Sequence, residues 1–149
     1  MNTSSLIVKP LERQDHAAWR ALWTGYLDFY KSKVSEAVYA TTFDRLFADG
    51  PYEPRCLLAW DGGTAVGLVH FMAHRHCWRV EDVCYLQDLF ASPEARGKGV
   101  GRALIEAVYR EADARGLGAV YWLTAGDNAT ARQLYDRVAK NTGFIKYQH

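Results

Sequence analysis

The feature that most constrains this chain is a short run in which basic residues and glycines alternate between a predicted strand and a predicted helix. The run is Arg96-Gly97-Lys98-Gly99-Val100-Gly101-Arg102. Glycine has no Cβ atom, so a ligand can approach its backbone closely, and the first amides of a helix have no partner inside the helix. Those amides, the helix dipole and the basic side chains together favour an anion. We expect a phosphate or pyrophosphate cradle, because a plain surface turn would not need three basic residues among its glycines.

The glycine spacing disfavours the two commonest phosphate-binding loops. A Walker loop needs Gly-Lys followed by Ser or Thr, whereas Lys98 precedes Gly99 and Val100 follows it. A dinucleotide fingerprint places its third glycine three residues after the second, whereas Gly101 comes two residues after Gly99. The predicted strand that follows, residues 119–123, also lacks the acidic residue of that fingerprint.

Hydrophobic periodicity predicts one mixed α/β domain over residues 1–149, in the order β-α-α-β-β-β-α-β-α-β. The predicted strands are residues 6–8, 56–60, 65–73, 83–91, 119–123 and 144–147. The predicted helices are residues 13–30, 35–47 and 100–115, and a last helix that begins at Asp127 or Asn128 and ends at Gly143. A chain of 149 residues is long enough for one hydrophobic core.

Two adjacent polar residues, Gln87 and Asp88, interrupt the strand at residues 83–91, which is otherwise apolar on both faces. Buried polar groups are costly unless they find hydrogen-bond partners. Gln87 and Asp88 are therefore the first candidates for a function. A satisfied polar network in the core is an equally good interpretation of Asp88.

Three histidines, His70, His74 and His76, share one face of the predicted strand at residues 65–73 and its continuation. Imidazoles along one strand point in parallel directions, and no carboxylate or cysteine is placed to complete a tetrahedral site. We expect no metal. A pocket-lining or solvated position is the favoured interpretation.

Charge and cysteine usage narrow the class of protein. The net charge is +1, which gives no support for nucleic acid or an anionic membrane as partner, and no run of 18 apolar residues predicts a membrane span. Cys56, Cys77 and Cys84 have neither paired nor metal-type spacing. Residues 1–5 lack the basic and apolar regions of a signal peptide. We therefore expect a cytoplasmic protein.

The pattern Arg96-x-x-Gly99-x-Gly101, after a strand and at the start of a helix, resembles the acetyl-CoA-binding motif of the GCN5-related N-acetyltransferase (GNAT) family. Further segments are similar to the family's last helix and final strand, namely Asn128-Ala129-Thr130-Ala131-Arg132-x-Leu134-Tyr135 and Gly143-Phe144. The resemblance covers residues 6–147. The segment Tyr85-Leu86-Gln87-Asp88-Leu89-Phe90 is most similar to the branch that acetylates polyamines, histone tails and related amines.

The resemblance implies a GNAT acyl-CoA N-acyltransferase fold with acetyl-CoA as co-substrate. The pantetheine arm would run beside the central strand, and the pyrophosphate would lie on the amides of the glycine run. Asn128 and Tyr135, seven residues apart on one helix face, would contact the pantetheine arm and the sulfur of the cofactor. The cofactor-binding residues implied are Leu89, Phe90, Ala91, Arg96, Gly97, Lys98, Gly99, Val100, Gly101, Arg102, Asn128 and Tyr135.

The implied reaction is direct transfer of the acetyl group to a neutral amine, with Tyr135 donating a proton to the departing thiolate. The catalytic candidates are Tyr135, Asp88 and Gln87. A primary amine with a pKa near that of lysine, about 10.4, arrives protonated and needs a base. Polyamine-type relatives commonly carry glutamate at the position of Gln87, and glutamine cannot act as a base. Asp88, Glu81, Asp82, His70 or a chain of waters remains as the substitute.

The acceptor is the part on which the sequence says least. A small-molecule amine such as a polyamine or amino acid is the first expectation, and a protein lysine or N-terminal amine is the rival. A non-catalytic acyl-CoA sensor is the alternative from another class, supported only by Gln87. The acceptor pocket should come from residues 26–39 and 73–82. A homodimer is also expected.

Overall fold

A five-stranded sheet in the order β1-β2-β3-β4-β5 is the frame of the computed structural model, which describes residues 5–149. The strands are β1 (Leu6–Pro10), β2 (Arg55–Asp61), β3 (Thr64–His74), β4 (Val83–Ala91) and β5 (Val120–Tyr121). The helices are α1 (His16–Phe29), α2 (Glu36–Arg45), α3 (Val100–Ala114) and α4 (Ala129–Val138), with short 3-10 turns at Arg13–Asp15 and Pro93–Ala95. The predicted mixed α/β class is confirmed.

The sheet changes character at its last strand. Strands β1 to β4 are antiparallel neighbours, and the β2–β3 and β3–β4 connections are a short turn and a loop without helix. Strand β5 is parallel to β4, as expected when a helix, α3, makes the crossover. Only two residue pairs join them, Cys84 with Val120 and Tyr85 with Tyr121.

Each face of the sheet is covered by its own hydrophobic cluster. Helix α3 packs on one face, where Leu104, Ile105 and Val108 are fully buried against β3 and β4. Helices α1 and α2 pack on the other face around Trp19, which has no exposed surface. Helix α2 begins as the sequence indicates, since the Ser35 Oγ accepts a hydrogen bond from the Val38 N–H at 3.3 Å.

The predicted final strand at residues 144–147 is wrong. Residues 139–149 form no helix or strand, helix α4 ends at Val138 rather than at Gly143, and Phe144, Ile145 and Tyr147 are 90%, 75% and 87% exposed. The short apolar run has the composition of a strand, but a strand also requires a hydrogen-bonded neighbour, and β5 pairs only with β4 within the described residues. The order is therefore β-α-α-β-β-β-α-β-α.

Two further sequence expectations concern the ends of the chain and the membrane. Residues 1–4, which bear on the signal-peptide prediction, lie outside the described residues. Among the helices of residues 5–149, none has the length and apolar character needed to cross a membrane.

Candidate active site

The glycine run forms a sharp turn that ends in the first residue of α3. After β4, the 3-10 turn Pro93–Ala95 buries Ala95, and Gly97 and Gly99 then adopt φ angles of +83° and +78°. These are left-handed conformations that a residue with a Cβ atom seldom adopts. Gly99 is the N-cap of α3, so the turn delivers the chain directly into the helix.

Five main-chain N–H groups of the turn remain free to bind a ligand. The N–H groups of Arg96 and Lys98 donate to carbonyls of the preceding turn, at 3.3 and 3.2 Å. Within residues 5–149, no main-chain carbonyl outside the strands and helices accepts from the other five, and the first turn of a helix offers none inside it. The free N–H groups belong to Gly97, Gly99, Val100, Gly101 and Arg102. A concave set of amides at the positive end of a 15-residue helix fits a pyrophosphate group.

The basic side chains of the turn differ in whether an acidic side chain lies next to them. The Lys98 Nζ lies 3.2 Å from the Asp61 Oδ2 at the end of β2, so this ammonium does not add a free charge to the cradle as the sequence indicated. A hydrogen bond from Ser5 and then that ammonium lower the pKa of Asp61. Arg102 pairs loosely with Glu106 at 3.4 Å. Arg96 is exposed and forms no ion pair with any described side chain, so its guanidinium is available to an anion.

The edge of β4 beyond Tyr85 is open because β5 stops early, and this open edge is called the cleft below. The edge of β4 that faces β5 is paired only at Cys84 and Tyr85, whereas the other edge is paired with β3 as far as Ala91. The backbone groups of Leu89, Phe90 and Ala91 therefore have no strand partner on the β5 side within the described chain. An extended ligand arm can complete the ladder along this edge, as an added strand would.

Helix α4 lies next to this cleft and contributes Tyr135 and Asn128. The Tyr135 ring packs edge-on against Trp122 at 5.5 Å and joins the cluster under α3. Burial, and then the neighbouring phenol of Tyr30, the residue that follows α1, raise the pKa of Tyr135 to about 12, so the hydroxyl is protonated at neutral pH. Its hydroxyl makes no hydrogen bond to a described residue. The amide of Asn128 donates to the Thr124 Oγ1 at 3.4 Å, which leaves its side-chain oxygen free.

A β-bulge at Gln87 changes which face of the sheet the even-numbered residues of β4 occupy. His70 pairs with Asp88 and Phe71 pairs with Leu86, so Gln87 is the extra residue of β4. Before the bulge, Cys84 and Leu86 face the α3 cluster. After it, the side chain of Asp88 faces α1, while Gln87 is exposed. The bulge therefore explains how two adjacent polar residues are accommodated, and it directs Asp88 toward the helix that carries Trp23 and Tyr26.

Asp88 is the centre of a buried polar network. It is 8% exposed and His70 is 3% exposed, and the His70 Nδ1 lies 2.8 Å from the Asp88 Oδ2. The Trp23 indole donates to the same oxygen at 3.2 Å, and the Trp19 indole donates to the His70 Nε2 at 3.0 Å. The satisfied network that the sequence allowed for Asp88 is present.

The carboxylate also lies next to a group of phenols. After burial, the charge of Asp88 raises the pKa of Tyr26 well above its ordinary value, and burial and the same charge raise the pKa of Tyr30 and Tyr85. Tyr85 in turn stacks on Tyr121 at 5.0 Å. These phenols connect the carboxylate with the open edge of β4, since Tyr85 is the last β4 residue paired with β5.

The other base candidates do not share this position. Glu81 and Asp82 precede β4 and form ion pairs with Arg79 and Arg75, at 3.1 and 3.3 Å. The hydrogen bonds of Glu81 to its own backbone and to Arg79 lower its pKa. His70 has both ring nitrogens engaged. Asp88 is the candidate that combines a carboxylate with proximity to the cleft.

The three histidines take different roles. His70 belongs to the network, the His74 Nε2 lies 2.8 Å from the Tyr121 hydroxyl, and the His76 Nδ1 accepts from the Trp78 N–H. Across residues 5–149, no group of three or more His, Cys, Asp or Glu side chains is placed to hold a metal ion.

Residues 17–139 match the sequence model of the Acetyltransferase (GNAT) family. The chain belongs to this family. The match includes both the glycine turn and helix α4, so the predicted family is confirmed.

Named relatives of this GNAT chain agree with the family. It is 41% identical over 150 residues to the D-amino-acid N-acetyltransferase HPA3 of Saccharomyces cerevisiae, covering 99% of the chain and 92% of the relative. It is 28% identical to the uncharacterised N-acetyltransferase YhfO of Bacillus subtilis, covering 94% of each chain. The GNAT chain is an acetyl-CoA-dependent N-acetyltransferase.

A solved structure shares the fold of this GNAT chain. It is that of AAC(6')-Iy in complex with the bisubstrate analogue CoA-S-monomethyl-acetylneamine, with a TM-score of 0.83, 18% identity and coverage of 98% of both chains. A likeness at this identity supports the fold. The polyamine or histone branch of the family stays a prediction for this GNAT chain.

Proposed function

We propose that this enzyme transfers the acetyl group of acetyl-CoA to the primary amine of a small molecule. The observation that carries the proposal is the arrangement along the open edge of β4. The glycine turn lies at one end of the edge, and Asp88 with its phenols lies near the other. The yeast relative is named for acetylating D-amino acids, so the α-amino group of an amino acid is the first acceptor to test.

The binding of CoA is assigned to this chain's own groups. The free N–H groups from Gly97 to Arg102 and the guanidinium of Arg96 hold the pyrophosphate. The edge of β4 at Leu89, Phe90 and Ala91 and the side-chain oxygen of Asn128 hold the pantetheine arm. When bound, acetyl-CoA supplies an acetyl thioester that a neutral amine can attack. A main-chain N–H of the β4 edge serves as the oxyanion donor.

Asp88 provides the negative charge that receives the ammonium form of the acceptor. The carboxylate is nearly buried, and charges interact more strongly where water is excluded. We assign it to drawing the cation into the site and to accepting its proton, directly or through a water. Gln87, which is exposed beside it, orients the amine or that water.

Tyr135 provides the proton for the leaving thiolate. A phenol with a pKa of about 12 holds its proton throughout the working range of pH. Its hydroxyl is free of other described partners, so the O–H can point into the cleft.

The test is thiol release from acetyl-CoA with a panel of amines. The panel contains D- and L-amino acids, polyamines, an aminoglycoside and a lysine-containing peptide. Saturable release with one class of small amine supports the proposal, and release with the peptide alone favours a protein acetyltransferase. A thermal shift with CoA but no release with any amine would favour the sensor, because binding alone raises the stability of the folded state.

We also propose that the enzyme is a cytoplasmic homodimer. The support for self-association is apolar surface at the end of the chain, where Phe144, Ile145 and Tyr147 are exposed. Light scattering at micromolar concentration tests it, and a monomeric mass would contradict it.

A further inference from the structure

The tautomer of His70 is fixed by Trp19, which donates a hydrogen bond to the imidazole. An indole nitrogen can only donate a hydrogen bond. Because the Trp19 Nε1 lies 3.0 Å from the His70 Nε2, that ring nitrogen must be the acceptor. The proton of the imidazole is then at Nδ1, from which it is donated to the Asp88 Oδ2 at 2.8 Å.

This tautomer leaves the negative charge of Asp88 uncompensated. A second proton on His70 would require Nε2 to give up the hydrogen bond from Trp19, in a site where Trp19 has no exposed surface and His70 is 3% exposed. Leaving a buried donor unpaired is unfavourable. The hydrogen-bond pattern therefore places a neutral imidazole, rather than an imidazolium, beside the Asp88 carboxyl group.

The same bonds also orient the carboxylate. The donors of His70 and Trp23 converge on one oxygen, Oδ2. The Tyr26 phenol also lies close enough to the carboxylate for a hydrogen bond to Asp88 to contribute to the rise in the pKa of Tyr26. The carboxylate is thus held in one orientation by groups from α1 and from β3.

We infer that Trp19 and His70 are positioning residues that keep Asp88 as an oriented, uncompensated anion for the ammonium group of the acceptor. This rests on the proposed function. Neither residue touches a substrate, and both act through Asp88.

Two measurements test the inference. In the free enzyme, long-range ¹H–¹⁵N correlation spectra of His70 should show a protonated Nδ1 and an unprotonated Nε2, and a protonated Nε2 would overturn the inference. In steady-state kinetics, Trp19→Phe removes the donor and keeps an aromatic ring. We expect the KM for the acceptor to rise about tenfold, the worth of one lost charge-directed contact, with the KM for acetyl-CoA unchanged.

The chain offers matched controls. The buried Trp60 Nε1 has no partner among the described residues, so Trp60→Phe also deletes an indole N–H and should leave both KM values unchanged. His70→Asn keeps an N–H near the position of Nδ1 and should restore most of the acceptor affinity that His70→Leu loses. Equal losses of acceptor affinity in His70→Asn and His70→Leu would show that His70 has a merely structural role. Equal changes in the KM values for the acceptor and for acetyl-CoA would show the same. If the wild-type enzyme acetylates no amine, the proposed function has failed instead, and the spectra still decide the tautomer.

Discussion

Gly67 of β3 lies directly beneath Val100, the first residue of α3. A Cβ atom built on Gly67 would overlap the Val100 Cγ1 and would lie 3.0 Å from the Leu104 Cδ1. The start of the helix therefore rests on the bare backbone of the sheet. The height of the glycine turn above β4 depends on this contact, since Val100 is the residue into which the turn leads.

Gly67→Ala should lift the start of α3 and weaken CoA binding together with stability. We expect the free energy of unfolding to fall by about 1–3 kcal/mol, as for overpacked cores. Urea unfolding and calorimetric titration with CoA measure the two effects. Gly63→Ala, in the same hairpin but with open space around the new methyl group, is the control and should change neither. Wild-type CoA affinity in Gly67→Ala would show that the contact does not position the turn.

Gly97→Ala should impair CoA binding through backbone conformation rather than through a clash. Its φ is +83° and nothing lies within 4 Å of a new Cβ, so the cost is the left-handed conformation, roughly 1–2 kcal/mol. Gly116 has a φ of +70° and open space at the other end of α3, so Gly116→Ala is a matched control. Both variants should lose similar stability in urea, but only Gly97→Ala should lose CoA affinity. An equal loss of affinity would remove the assignment of the turn to the cradle.

Arg96 and Lys98 should contribute unequally to CoA affinity. We expect Arg96→Gln to weaken CoA binding about tenfold, as for one charge-assisted hydrogen bond. Lys98→Gln should have a smaller effect, because its ammonium is already paired with Asp61. Titrations at low and high salt measure both, and salt should weaken wild-type binding more than that of Arg96→Gln. A larger effect at Lys98 would contradict the pairing.

Tyr135→Phe should lower kcat about a hundredfold, the usual scale for a lost general acid, with little change in the KM for acetyl-CoA. Because its pKa is about 12, Tyr135 should cause no alkaline loss of activity below about pH 10 in the wild type. A pH–rate profile with the best amine checks this. Retention of full activity by Tyr135→Phe would end the proton-donor assignment.

Alkaline solutions should destabilise the fold through buried acids. Burial raises the pKa of Cys84 from 9.0 to about 11 and that of Tyr135 from 10.0 to about 12. Above about pH 9 the unfolded chain therefore binds fewer protons than the folded one, so the free energy of unfolding falls as pH rises, until about pH 12. Urea unfolding from pH 8 to 11 measures the slope. Cys84→Ala should flatten it, and an unchanged slope in that variant would show that Cys84 is not involved.

The conformation of the glycine turn was predictable from the sequence because it is local. Gly97, Gly99 and Gly101 are close together in the chain, and the turn, the helix start and the free amides follow from a few consecutive residues. The direction of Lys98 was not predictable, since its partner Asp61 is 37 residues away. The predicted strand at residues 144–147 was wrong for a related reason, since strand formation depends on a neighbour that composition does not specify.

The network around Asp88 was only half visible in the sequence. Trp19 and Trp23 are four residues apart in the predicted helix at residues 13–30, and His70 is one of three histidines on a predicted strand. Their meeting depends on the register between β3 and β4, which the irregular connection of residues 75–82 and the bulge both obscure. A buried histidine opposite a buried aspartate across two neighbouring strands was the signal available.

The bulge at Gln87 has a further consequence for how this site tolerates change. Because Gln87 lies outside the ladder, Asp88 follows Leu86 in the pairing with β3 and takes the opposite face from it. Deleting Gln87 would leave Leu86 and Asp88 consecutive, opposite Phe71 and His70, so Asp88 would stay beside His70. Drawing Gln87 into the ladder would instead place Gln87 opposite His70 and turn Asp88 to the face of α3. The place of Asp88 therefore depends on Gln87 staying outside the ladder, and a homologue with a one-residue gap at this point would keep the pairing of His70 with Asp88.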